Sequence, residues 1–294
     1  MKLLGKYKNG NYNVAIFDDG TKIRETKEDK FVASFPECMD IKITNYCDKN
    51  CPYCHEASST AGKHGNILDA DFVNTLKPYT ELAIGGGNPL SHPDLLQFLQ
   101  ILKDKHIIAN MTVNQVHFEN NTNYIDNLIK NGLIKGLGVS LINPTDEFIE
   151  KIKKYPNAVI HIINGVVSLE NLKKMYDKDL KILILGYKQF RKGKEFYSDK
   201  VETNKGVMYI ILPELIKHFK VVSFDNLAIE QLEVKSLMAD EEWNDFYMGD
   251  DGQFTMYIDM VNKQFAKCSV SNKRYDLLEN IEDMFKVVKE EAND

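Results

Sequence analysis

The chain has 294 residues, 43% hydrophobic and 27% charged, a balance that suits a globular protein of one large or two ordinary domains. No run approaches the roughly 18 apolar residues of a membrane span, and MKLLGKYKNGNYN at the N-terminus lacks the apolar core of a secretory signal, so a cytoplasmic protein with reduced thiols is expected. A net charge of −6 argues against broad binding to nucleic acid, which needs a surplus of Lys and Arg.

Residues 11–26, NYNVAIFDDGTKIRET, read as a β-hairpin because Asp19-Gly20 interrupts two alternating runs. From residue 38 to about 225 one rhythm repeats, a short β-rich run followed by a longer amphipathic stretch. Its strand candidates are MDIKIT (39–44), ELAIG (81–85), IIANMTV (107–113), GLGVSL (136–141), AVIHII (158–163), LKILIL (180–185) and KVVSF (220–224). Dense in Ile, Val and Leu and only weakly alternating, they suit strands of a parallel sheet covered on both faces.

The intervening helices carry start and stop signals. SHPDLLQFLQILKDK (91–105) offers Pro93 for the first helical position, and TNYIDNLIKNG (122–132) stops at Gly132. NPTDEFIEKIKK (143–154) and SLENLKKMY (168–176) open on Asn143 and Ser168 as caps. Beyond the repeat, GQFTMYIDMVNKQFAKC (252–268) reads as a second hairpin and LLENIEDMFKVVKEE (277–291) as a final helix. The expected fold is α/β, a partial (β/α)6-type barrel over residues 38–230, because right-handed βα crossovers curl a parallel sheet. A hairpin extension (1–37) precedes it, and an α/β extension (231–294) that closes the barrel follows.

Three of the five cysteines, Cys47, Cys51 and Cys54, fall in ITNYCDKNCPYCHEASS directly after the first barrel strand. Thiolates at this spacing hold iron–sulfur clusters or zinc. Three thiolates on a cubane of four irons leave one iron open for a small molecule. On the zinc reading, His55 supplies the fourth ligand, although adjacent Cys54 and His55 would have difficulty reaching one tetrahedral ion. The corresponding protein would be a non-catalytic binding protein with a structural zinc site.

The C-x3-C-x-aromatic-C loop, with Tyr53 as its aromatic, resembles that of the radical S-adenosylmethionine (SAM) superfamily. The resemblance implies that Cys47, Cys51 and Cys54 hold a 4Fe–4S cluster whose open iron chelates SAM. In AIGGGNPLSHPDL (83–95), Gly86, Gly87, Asn88 and Pro89 match the family's G-G-E-P, which binds the methionine amino group. Asn88 replaces the usual Glu, keeping an acceptor oxygen without its charge. Further resemblances follow at successive strand ends. Asn114 ends strand three, Ser140 is implied at the ribose or methionine carboxylate, Gly165 at the adenine, and Leu185 at a backbone pairing with adenine.

The family's activity is reductive cleavage of SAM to a 5′-deoxyadenosyl radical that abstracts hydrogen from a substrate. The resemblance implies a one-electron reductant, flavodoxin- or ferredoxin-like, as partner. The substrate stays open between a peptide or protein side chain and a nucleotide-like or other small anionic molecule. For an anion, Lys188, Arg191, Lys192 and Lys194 after strand six could form a clamp. Gln115 and His117 after strand three, Asp225 and Asn226 after strand seven, and Tyr257 and Asp259 in the second hairpin could face the same cavity. Cys38 and Cys268 read as small buried hydrophobes.

Overall fold

The computed structural model describes residues 1–293; Asp294, the end of the expected C-terminal extension, lies outside the described residues. Three antiparallel strands come first, β1 (Leu3–Asn9), β2 (Tyr12–Phe17) and β3 (Lys22–Glu25), in the order β1-β2-β3. The expected hairpin is thus the second half of a three-stranded meander. Strand β1 buries little besides Asn9 and intersperses lysines, so it carries no apolar signal of its own.

The main sheet contains β4 (Cys38–Thr44), β5 (Glu81–Gly86), β6 (Ile108–Asn114), β7 (Gly136–Ser140), β8 (Ala158–Ile163), β9 (Lys181–Leu185), β10 (Val221–Phe224), β11 (Thr255–Asp259), β12 (Gln264–Ala266) and β13 (Tyr275–Asp276). Its order is β10-β9-β8-β7-β6-β5-β4-β11-β12-β13. Every neighbouring pair from β10 to β11 is parallel, and β12 and β13 add antiparallel strands at the end. All seven candidate strands form. The sheet curls around a cavity without closing, since β10 and β13 are its edges. The second hairpin, β11–β12, extends the sheet beside β4.

Among the described residues ten α-helices flank these strands: α1 (Leu95–Asp104), α2 (Gln115–Asn120), α3 (Thr122–Lys130), α4 (Asp146–Ile152), α5 (Leu169–Met175), α6 (Lys192–Phe196), α7 (Asp199–Leu215), α8 (Asn226–Gln231), α9 (Asp240–Phe246) and α10 (Ile281–Asn293). Helix α1 begins at Leu95, two residues after Pro93, because the chain first makes a turn in which the His92 ring accepts from the Asp94 N–H at 3.1 Å. Thr145 rather than Asn143 caps α4, its hydroxyl accepting from the Phe148 N–H at 3.1 Å, whereas Ser168 caps α5 as expected. Between β4 and β5 the chain makes a long loop and one short 3-10 turn (Asp71–Thr75).

Strand alternation divides the sheet into two faces. Ile41, Ile43, Leu82, Ile84, Met111, Val113, Val139, Ile160, Ile162, Ile182 and Ile184 are buried in the core with the helices, each worth about 1.5–3 kcal/mol on the transfer scale. Their neighbours in sequence face the cavity. At its lower end the β2–β3 turn, Asp18 to Thr21, lines the cavity, and Asn157 donates to the Asp18 carbonyl at 3.1 Å. Buried Glu37 anchors this meander, accepting from Tyr12 Oη at 2.6 Å and pairing with Arg24 Nε at 2.9 Å.

Candidate active site

Register aligns the inward residues into rows. Asp40, Ala83, Asn110 and Gly136 make a deep row; Lys42 and Gly85 lie above it on β4 and β5, and Thr112, Gly138 and Val159 continue across β6 to β8. Asn114, Ser140, His161, Leu183 and Ser223 form an upper row. All of these line one cavity of about 1230 Å³. A Cβ on Gly138 would stand 2.5 Å from His161 Cε1 and 2.7 Å from Thr112 Oγ1, so this bare strand leaves room for both polar side chains. Burial pushes the His161 imidazole down to about 4.

The cysteine loop sits where β4 delivers the chain to the C-terminal end of the parallel sheet. Its two ends are tied together, with the Cys47 N–H donating to the Ser59 carbonyl at 2.9 Å and the Asn45 N–H to that of Lys63 at 2.8 Å. Cys47, Cys51 and Cys54 are free thiols, all partly exposed and all on the cavity wall with Tyr53 and His55. Burial pushes the Cys47 and Cys51 thiols up, so a metal must displace their protons. Burial, reinforced by the Lys188 charge, lowers His55 to about 3.

The glycines after β5 carry the base of this loop. The Gly87 N–H donates to the Thr44 carbonyl and the Asn88 N–H to that of Tyr46, both at 2.7 Å. A Cβ on Gly87 would lie 2.1 Å from the Tyr46 oxygen, and Gly86 has φ of 109° with the Thr44 oxygen 2.4 Å from where its Cβ would stand. Gly86 and Gly87 line the cavity; Asn88 and Pro89 do not. The Asn88 side-chain oxygen is buried and has no hydrogen-bond partner among the described residues.

A second set of contacts holds the loop from above. The chain after β9 crosses the loop, and Arg191 Nη1 donates to the Glu56 carbonyl at 3.0 Å and carboxylate at 3.1 Å. Lys192 Nζ donates to Asn50 Oδ1 at 2.6 Å, and the rings of Tyr53 and Phe196 meet edge-on at 5.6 Å. Glu56 is also reached by Lys42 Nζ at 3.0 Å and by Tyr257 Oη at 2.9 Å, and Lys42 pairs with Asp259 at 3.1 Å. Burial would raise the Glu56 carboxyl, but the His55 ring, the Lys42 ammonium and the hydrogen bonds of Lys42 and Tyr257 hold it at about 2.

Of the remaining sequence candidates, Asn114, Ser140, Leu185, Lys188 and Asp225 line the cavity, and Gly165, Gln115 and Arg191 do not. Gln115 is spent on the loop after β7, accepting from the Ile142 and Asn143 N–H groups and donating to the Asn143 carbonyl. Gly165 packs against α7, where a Cβ would meet Val201 and Lys205 at 2.9 Å. The Asn114 side chain also caps α2 through the Val116 N–H. The expected anion clamp therefore does not assemble. Arg191 and Lys192 brace the cysteine loop, while Lys188 donates to Ser269 at 3.0 Å beside the acidic Asp40 and Asp225. Sequence reasoning missed Asp40, Lys42, Glu56 and His161. Charged Asp40 and Lys42 within an otherwise apolar strand run were the available signal.

The sequence profile of the Radical SAM superfamily matches residues 41–191, half of the chain, from within β4 to beyond β9. The chain belongs to this superfamily. Radical SAM enzymes use a 4Fe–4S cluster and SAM. It is 28% identical over 146 residues to a probable GTP 3′,8-cyclase of Methanocaldococcus jannaschii. That match covers 46% of this chain and about half, 47%, of the relative. Streptococcus suis SuiB bound to SAM shares the fold with a TM-score of 0.58 at 14% identity, over 89% of this chain and 68% of SuiB. SuiB bound to its precursor peptide SuiA aligns with a TM-score of 0.56 at 16% identity, over 86% and 65%. No helix among the described residues is long and apolar enough to cross a membrane.

The radical SAM cofactors suit the residues present. Three partly exposed thiols on one stretch of the cavity wall suit a cluster, and the buried, unpartnered oxygen of Asn88 suits an ammonium donor.

Proposed function

We propose that this radical SAM enzyme holds its 4Fe–4S cluster on Cys47, Cys51 and Cys54, and acts on a peptide or protein side chain placed in the barrel. The observation that carries this reading is the meeting of the three thiols, Gly86, Gly87, Ser140 and Leu185 on one cavity at the C-terminal end of a parallel sheet. When bound, the cluster and SAM supply one-electron cleavage of the sulfonium and a 5′-deoxyadenosyl radical able to take hydrogen from the substrate. The protein's part is to bind, orient and shield. Asn88 accepts from the methionine ammonium once its side chain turns to the cavity, Ser140 and the backbone near Leu185 hold the nucleoside, and Tyr53 packs beside the cysteine loop.

Charge supports the substrate class. An anion clamped beside the cysteine loop would need free cations there, but Arg191 and Lys192 are engaged and Lys188 faces carboxylates. Burial pushes the Asp40 and Asp225 carboxyls up while Lys188 opposes it, an arrangement poorly suited to another negative group. SuiB, which shares the fold, is bound to a peptide in one structure. A flavodoxin- or ferredoxin-like donor of one electron completes the set of partners.

Anaerobic reconstitution tests the reading: about four irons and four sulfides per chain, a brown chromophore, and 5′-deoxyadenosine formed from SAM under reduction. Alanine at Cys47, Cys51 or Cys54 should abolish the chromophore, and alanine at Cys38 or Cys268 should leave it. Iron retained in Cys51→Ala but lost in Cys268→Ala would overturn the ligand assignment.

A further inference from the structure

Two charges on β4 face the barrel interior, and the fold treats them differently. Lys42 is met by Glu56 at 3.0 Å and by Asp259 at 3.1 Å. Asp40, two residues earlier on the same face of the strand, has no side-chain hydrogen bond or ion pair among the described residues. Its side chain is exposed, but into the cavity. Glu56 and Glu81, on the same cavity wall, each meet a lysine. A charge enclosed by protein is ordinarily paired, because desolvation by itself disfavours the ionised form.

The charges around Asp40 show what is missing. Desolvation pushes its carboxyl up, Lys188 pulls it back, and Asp251, Asp225 and Glu56 add to the rise. Lys188 makes no ion pair with Asp40 or Asp225 among the described residues, its ammonium being held on Ser269 at 3.0 Å. Asp225 lines the same cavity. Its Oδ1 accepts from the Gly186 and Ala228 N–H groups, both at 2.8 Å, and its Oδ2 has no partner among the described residues. There is room alongside, since the register neighbour of Asp40 is Ala83, and a Cβ on Gly85 would meet nothing within 4 Å.

We infer that Asp40 is a specificity-determining residue of the substrate pocket and pairs with a positively charged group, the ammonium or guanidinium of a peptide side chain. Asp40 and Asp225 against Lys188 leave one negative charge on this wall. A cation neutralises it, a neutral group leaves it unmatched, and an anion adds to it. SAM, itself cationic, belongs elsewhere. Asp40 lies four residues before Thr44, roughly 13 Å back along β4 from the strand end at Gly86, where the residues proposed for SAM gather. That the cation belongs to a peptide rests on the function proposed above; the charge preference at Asp40 does not.

The test uses the anaerobic holoenzyme with SAM bound, titrated calorimetrically with Nα-acetyl-lysine methylamide, its norleucine and glutamate counterparts, and pentylammonium chloride. The parent should bind the lysine probe more than about thirty-fold tighter than the norleucine probe, and Asp40→Asn should erase the difference. SAM affinity should be the same in Asp40→Asn as in the parent. Its melting temperature should equal or exceed the parent's, because the variant loses an unmatched charge. A melting temperature several degrees lower would reveal a structural partner for Asp40 and overturn the inference. Preference for the glutamate probe, refusal of both cationic probes, or discrimination retained in Asp40→Asn would overturn it too. Weaker SAM binding in Asp40→Asn would assign the carboxylate to SAM, with the same consequence. Pentylammonium carries the charge without a peptide. If it binds through Asp40 while the lysine probe is refused, the cation site stands and the peptide substrate falls; if the lysine and norleucine probes bind alike, the peptide substrate stands and the cation site falls.

Discussion

Arg191 grips Glu56 with a single nitrogen, Nη1 lying 3.0 Å from its carbonyl oxygen and 3.1 Å from its carboxylate. The contact joins the chain after β9 to a residue two places beyond Cys54. Arg191 makes it from φ of 49°, a conformation that a non-glycine residue adopts only at some cost.

Arg191→Ala loses the grip and keeps the strain. A hydrogen bond between charged groups contributes about 1.5–3 kcal/mol, so a loss of that order is expected. Arg191→Lys should retain part of it. The readouts are the melting temperature and the rate at which a chelator removes iron from the anaerobic holoenzyme. Equal iron release from parent and Arg191→Ala would mean that the contact does not brace the loop.

Gly87→Ala should displace the cysteine loop although no cysteine changes. The new Cβ would stand 2.1 Å from the Tyr46 oxygen and 2.7 Å from its carbonyl carbon, and backbone yields less readily than a side chain. Overpacking of this kind costs about 1–3 kcal/mol. Iron content after reconstitution should fall well below that of the parent while far-UV circular dichroism stays the same; a full complement of iron would contradict the prediction.

Asn88→Ala should weaken SAM binding roughly ten- to a hundred-fold with the cluster intact, through loss of a charge-assisted hydrogen bond of about 1.5–3 kcal/mol. Asn88→Glu should bind at least as well as the parent, since a carboxylate restores the charge. Titration of SAM into each reconstituted protein decides between this role and a structural one. Unchanged affinity in Asn88→Ala would leave Asn88 as an anchor of the following turn, where its carbonyl accepts from Ser91 Oγ at 2.7 Å.

His161 predicts a dependence on pH. Burial lowers its folded value to about 4, below the roughly 6.5 of an unfolded chain, so only the unfolded state gains a proton as pH first falls. The stability associated with neutral His161 is present above about 6.5 and is lost progressively towards about 4, by about 3 kcal/mol in all. His161→Gln removes this slope. Melting temperatures of both proteins between pH 7.5 and 4 should diverge across that window, and parallel curves would exclude His161 as the cause.

The strands and the cysteine motif were legible because both are written in local spacing. Ile, Val and Leu at β4 to β10 announce themselves within six or seven residues, and Cys47, Cys51 and Cys54 define their chemistry within eight. Strand β1 was missed because lysines break its apolar pattern, and α2 because its six residues are too short to show a period. The sequence by itself thus determined the parallel α/β architecture, the superfamily and its cofactors. Which polar side chains face the cavity was decided only by the tertiary structure. Glu56 meets Arg191 across 135 residues and Tyr257 across 201, and Lys42 meets Asp259 across 217. Nothing local records such partners. A charge after a strand reads alike whether it lines the cavity, as Lys188 does, or braces a loop outside it, as Arg191 does, because folding alone brings a distant carboxylate within reach.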